Sequence, residues 1–447
     1  MRKIFVLSVL LFSAAPIFSQ IVIREVDSLK RHYTSKAQTM LVADSSLFDY
    51  IVIDLNGVSI YSSKENRLGN VVESQVFWSE LAICKRVLRE ESRENAMTIM
   101  LAKGAKMFGP AIQKQYSHKP NPKIVNEVAG KKLSGYRIAL DPGHIAHDTA
   151  MGRIEQKFIS MFVPIKDDSM HVGFAEGQLT WQTAVALAAR LRNEGAEVFI
   201  TRADSNITAF GKTFEAWKRE DFPRTLDSLI RAESENAIFK DLKSGKLHGD
   251  RAIFRFVFRD VELRKRADII NAFNPDLTVV IHYNVDESNS PWVHPTKKDF
   301  CMVFVPGAFQ SSELGESENR FDFLRLLLLD DVETSIAIGG KIAEQLVKKL
   351  KVSPATTDDA GYLLTSCRKT KKVGVFARNL SMTRLVHGPV VFGETLYQDN
   401  YSEALSLSQM SLIDKVSGQR TSVRIVQAAE AYCEGIVQWA VAEKLKK

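Results

Sequence analysis

The chain has 447 residues, 45% of them hydrophobic and 25% charged, with a formal net charge of +7. That is the composition of a globular protein with enough apolar material for a large core or two, and it excludes long disorder. The mild positive surplus suits an anionic envelope polymer and falls short of the clustered basic stripe of a nucleic-acid binder. Residues 1–20, MRKIFVLSVLLFSAAPIFSQ, set Arg2 and Lys3 ahead of a short apolar run and small residues, the layout of a secretory leader. A membrane span needs about 20 apolar residues, so a retained anchor is the alternative rather than the expectation. No cysteine follows the run and no other stretch is long and apolar enough to span, so a periplasmic or secreted protein of the cell envelope is expected, with no stable membrane span once the leader is removed.

Residues 21–130 read as a separate region, α/β or mainly helical. YIVIDLNGVSIYSS alternates around Asn56-Gly57, a strong hairpin signal. Residues 74–115 carry helical periodicity, and YSHKPNPKI at 116–124 reads as a linker. No chemistry is legible in this region. From 131 to 447 the pattern becomes α/β. Strands at RIALD, 196–201, 276–283, 299–306 and 389–394 alternate with helices at 178–193, 261–273, across DDVETSIAIGGKIAEQLVKKL, and at 423–443. Such alternation predicts a mostly parallel sheet covered on both faces. The charged stretch at about 204–260 has little apolar periodicity and reads as an insertion on the rim, with helix as the structure open to it. Cys84, Cys301, Cys367 and Cys433 form no C-x-x-C motif, and free buried thiols are expected ahead of disulfides, although export permits the latter.

The segment IALDPGH ends an apolar strand in turn residues and delivers His144 at a strand end, where open α/β sheets bind ligands. Glu176 stands at the head of an amphipathic helix, and His282 closes the strand TVVIHYN. Two histidines and a glutamate would leave a fourth position open on a zinc ion, the pattern of a catalytic site.

Four blocks in order resemble the zinc-dependent N-acetylmuramoyl-L-alanine amidases of the type 3 catalytic class. They are IALDPGH, EGQLTWQTAVALAARLRNEGAEVFITRADS, RADIINAFNPDLTVVIHYNVD and FARNLSMTRLVHGPVVFGETLYQDN, and the resemblance covers residues 136 to about 440. It implies a six-stranded sheet flanked by helices, one Zn2+ held by His144, Glu176 and His282, an essential glutamate at Glu394, and a substrate-contacting asparagine at Asn284. It also implies a peptidoglycan substrate, cut at the amide between N-acetylmuramic acid and L-alanine. After DPGH the chain reads IAHDTAMG where the family usually has a glycine-rich run, and the gap to Glu176 is long. Glu155 is therefore a rival ligand, and His147 a further candidate beside the metal or behind its ligands. Two other readings remain at this point: an inactive or gated wall-binding protein, for which the insertion leaves room for an activator protein, and a zinc peptidase cutting stem peptides.

Overall fold

The computed structural model describes residues 14–117, 130–166, 168–289 and 294–445. Residues 1–13 of the expected leader and most of the expected linker lie outside them. Among the described residues, no helix is long and apolar enough to cross a membrane. The chain divides into two compact units, Met1–Pro120 with Ala308–Leu329, and Asn121–Gly307 with Asp330–Lys447.

The first unit holds the helix Ala14–Lys36 and a three-stranded antiparallel meander, Ile51–Ile53, Gly57–Ile60 and Ser74–Phe77. At the hairpin, Asp54 accepts from the backbone N–H groups of Asn56 and Gly57 at 2.7 and 3.1 Å. Only glycine fits at 57, since a Cβ there would lie 1.8 Å from the Val76 carbonyl oxygen. The helix expected over 74–115 is instead a strand followed by three helices, Leu81–Glu90, Arg93–Ala102 and Pro110–Tyr116. Local chemistry makes the breaks: Ser92 accepts from Asn95 N–H and starts a new helix, and Pro110 opens the next at a position where no N–H is needed.

Residues 308–329 were expected within the catalytic domain, yet they complete the first unit. The helix Ser317–Leu328 buries Phe321, Phe323, Leu324 and Leu327, and it carries three ion pairs into the N-terminal region, Arg320 to Glu73 at 2.6 Å and Asp322 and Glu318 to Arg93 at 2.9 and 3.4 Å. A buried Asp322 must find a cation, and Arg93 supplies it.

The second unit is built on an eight-stranded sheet, six of whose strands have four residues or more. In order they are Val375–Arg378, Phe300–Val305, Val390–Tyr397, Leu277–Asn284, Arg137–Pro142 and Glu197–Ile200, with Cys367–Lys369 at one edge and Ser353–Pro354 beside Phe300–Val305. The last four of the six are parallel, while Phe300–Val305 runs antiparallel to Val390–Tyr397. Helices Glu176–Asn193, Asp331–Leu350 and Val423–Lys444 pack on the sheet with one another, and Arg259–Phe273 packs with Ser381–Leu385. The four cysteines are free and buried.

The opening strand extends one residue past the expected RIALD, with Asp141 and Pro142 pairing with Val280 and Ile281. Proline is tolerated because its nitrogen points past the end of the short neighbouring strand Glu197–Ile200, where no acceptor waits. The insertion is helical. Helices Phe214–Glu220, Phe222–Ala232, Ala237–Ser244 and Asp250–Ile253 enclose Phe214, Trp217, Leu226, Phe239, Phe254 and Phe258. Its apolar residues are aromatic and spread over several short helices, so no single window shows a clean period.

Candidate metal centre

The centre is assembled at the carboxyl ends of two adjacent parallel strands. Gly143 N–H donates to Ile281 O at 2.9 Å, which brings the residue after Pro142 alongside His282. A Cβ at Gly143 would lie 2.1 Å from His282 Nε2, so the loop can pass this imidazole only as glycine. The next residue, His144, adopts a left-handed backbone with φ +61°, which turns its side chain back towards the strand end. The rings of His144 and His282 then stand 4.7 Å apart at 79°.

Glu176, the first residue of the helix Glu176–Asn193, lies between them, with Oε1 3.3 Å from His144 Nε2 and 3.1 Å from His282 Nδ1. Its carboxylate is anchored by Tyr283 N–H on Oε1 and the Gln398 amide on Oε2, both at 3.1 Å, and Lys157 approaches to 3.9 Å. Burial works to raise its pKa, but His144 and Lys157 outweigh that and hold it well below the usual carboxylate range. Among the described residues, His144, Glu176 and His282 are the group that could hold a metal ion, with one ligand atom each within 4.8 Å of one another. The buried His144 Nε2 has no hydrogen-bond partner, which is the condition of a ligand atom facing a cation.

Glu155 is not in that group. Its Oε1 lies 2.8 Å from the other ring nitrogen of His144, and its Oε2 accepts from the N–H groups of Ile145 and Ala146 at 3.0 and 2.9 Å. Burial opposes the charge on Glu155, yet His144 and these two donors keep its pKa lowered. In the neutral ring a carboxylate on Nδ1 favours the proton on that nitrogen, which would leave Nε2 to a metal ion. His147 stands apart, 37% exposed and 3.5 Å from Asp148. His282 is pushed down to about 4, by burial first, so its imidazole is neutral. His144 is raised to about 9, because Glu176 and Glu155 overcome its burial.

Glu394 is the strand neighbour of His282, paired with it in register. One of its carboxylate oxygens is buried without a hydrogen bond, and its pKa is raised to about 7 by burial and by the charge of Glu176. Asn284 donates from Nδ2 to the Tyr362 hydroxyl at 3.3 Å. A cavity of about 330 Å³ opens beside His144 and His282, walled by Phe254, Phe258 and Arg259 from the end of the insertion and by Met382 and Phe392 across from them.

The sequence singled out neither Gln398 nor Lys157. Gln398 follows Glu394 by four residues on the same strand exit, and Lys157 begins the hairpin that ends at Glu176, so proximity to the candidates was the one available signal.

Comparisons agree with this geometry at the level of family. A family model described as N-acetylmuramoyl-L-alanine amidase matches residues 138–420. Among solved structures, the chain is similar to the apo N-acetylmuramyl-L-alanine amidase Ami1 of Mycobacterium abscessus, with 17% identity over 69% of this chain and 99% of that one and a TM-score of 0.35. Ami1 of Mycobacterium smegmatis gives 16% identity, 69% and 99% coverage and a TM-score of 0.37. The CwlD amidase of Clostridioides difficile, in complex with the GerS lipoprotein, gives 16%, 68% and 98%, and 0.36. Likeness at these scores carries no argument about substrate or partner. No curated protein matches the chain in sequence. The family model spans more than half of the chain, from the strand before His144 past the strand of Glu394, and the chain belongs to the N-acetylmuramoyl-L-alanine amidases, hydrolases of cell-wall peptidoglycan.

Proposed function

We propose that the protein is a zinc-dependent amidase that hydrolyses the bond between the lactyl group of N-acetylmuramic acid and the L-alanine of the stem peptide. The observation that carries it is the cluster of His144, Glu176 and His282, with His144 Nε2 buried against Glu176 and making no hydrogen bond, next to a glutamate of raised pKa. Two imidazoles and one carboxylate suit zinc and leave a coordination position open. Zinc held there would polarise the scissile carbonyl and bring the pKa of water towards ~7.

The remaining work falls to the protein. Glu155 fixes the tautomer of His144, and Gln398 with Tyr283 N–H orients Glu176. Glu394 accepts the proton of the attacking water and returns it to the departing amine, because its carboxylate is poised near neutrality and holds no other partner on its buried oxygen. Asn284, held by Tyr362, contacts the substrate. Such a substrate and the leader-like N terminus favour action in the cell envelope, and the cavity wall formed by the insertion offers an activator protein a route to the site.

Glu394→Gln tests the assignment. It should retain zinc and lose about 10²- to 10⁴-fold in turnover on a muramoyl peptide. A product with a free L-alanine amine on an intact stem identifies the amidase, whereas a cut within the stem identifies a peptidase. Full zinc with near-normal turnover in the Gln variant would remove Glu394 from the chemistry.

A further inference from the structure

We propose that Arg378 receives a free carboxylate of the stem peptide and so sets which peptides the enzyme cuts; this rests on the amidase reading above. Arg378 ends the strand Val375–Arg378 and is half-buried. Its guanidinium lies 4.4 Å from the ring centroid of Tyr362 and 5.0 Å from that of Phe304. Among the described residues no carboxylate pairs with it. Other buried arginines of this unit have their N–H groups spent: Arg190 on Asp414, Arg266 on Glu262 and Asp141, Arg424 on Glu403, and Arg202 on the carbonyl oxygens of Ser205 and Pro142. A guanidinium clamped on aromatic rings keeps its plane fixed and its N–H fork unspent, which is the arrangement that binds a planar carboxylate through two hydrogen bonds.

Its position relative to the cut follows from the sheet face it shares with the metal centre. His282 stacks on Phe392 at 4.3 Å and 13°, Phe392 lies 6.2 Å from Phe304, and Phe304 lies 6.3 Å from Tyr362. A row of rings thus leads from a metal ligand to Arg378. Tyr362 also takes the hydrogen bond of Asn284, two residues beyond His282. The charge of Arg378 is felt at Glu394, where it works against the rise caused by burial. In the substrate, the sugar's only carboxyl group is consumed in the scissile amide. A carboxylate within a few bonds of the cut therefore belongs to the peptide side.

The experiment uses two muramoyl peptides that differ only in the second stem residue, one with its α-carboxylate free and one with it converted to the carboxamide. The full chain should prefer the free acid by about 10- to 100-fold in kcat/KM, the worth of a charge-assisted bidentate contact, with the difference in KM. Arg378→Gln should treat the two peptides alike while keeping wild-type zinc content and melting temperature, and Arg378→Lys should keep part of the preference. Calorimetric binding of the corresponding sugar-free peptides gives a second readout. Discrimination in binding without cleavage of either substrate would retain Arg378 as the receptor and sink the amidase reading. Equal handling of both peptides by the wild-type chain, or an unchanged preference in Arg378→Gln, overturns the proposal.

Discussion

In the proposed zinc site, Glu155 would support a ligand without being one. Its carboxylate sits on Nδ1 of His144 and is itself tied to the N–H groups of Ile145 and Ala146, so it orients the imidazole through a rigid support. Removing such a support costs about 10- to 100-fold in metal affinity. Glu155→Gln is therefore expected to weaken zinc by that factor in competition with a chelator, while Glu176→Ala loses zinc altogether. Equal losses in the two variants would make Glu155 a ligand. At this scale the ligands were legible because each ends a strand or starts a helix in a recognisable block. Glu155 read as a rival ligand because nothing in a linear sequence tells which nitrogen of His144 faces which carboxylate.

Between elements, the helix Glu176–Asn193 is tied down by one buried ion pair. Arg190 reaches Asp414 in the segment between Tyr401–Ser408 and Val423–Lys444, at 2.8 and 3.0 Å in a fork. The pairing holds Asp414 well below the usual carboxylate range, the hydrogen bonds of Arg190 being the main cause. A depressed native pKa contributes stability that is complete above the unfolded value near ~3.9 and is lost as pH falls through the native one. Asp414→Asn should cost about 2–4 kcal/mol at pH 7, since it leaves Arg190 buried without its counter-charge. Thermal melts of the variant and the wild type should converge as the pH is lowered through the acid range. A gap that stays constant down to pH 2 would show that the pair contributes through packing alone. The same scale explains the insertion: Trp217 packs 4.8 Å from Phe258, whose neighbours wall the cavity, so a charged stretch without period still builds a core.

For the whole molecule, the first unit takes residues 308–329 out of the middle of the catalytic sequence. A chain that begins at residue 121 would bare the apolar face of Ser317–Leu328 and strand Asp322 without Arg93. Its soluble yield should fall sharply and its binding of a hydrophobic dye rise; replacing 308–329 with a short glycine-serine linker should reverse both. Normal solubility of the simple truncation would show that the segment is stable without the N-terminal region. By itself, the sequence determined the α/β class, the parallel strands and the candidate ligands, because local periodicity and strand-end placement are written in neighbouring residues, while Glu394 came from the resemblance of its block to the amidases. Tertiary structure alone decided that Glu155 stands behind His144, that 308–329 belongs with the first unit, and that Arg378 is left without an acid among the described residues. Each of those depends on which groups meet across long stretches of chain, and burial makes the pairing of charges obligatory only once the fold has brought them together.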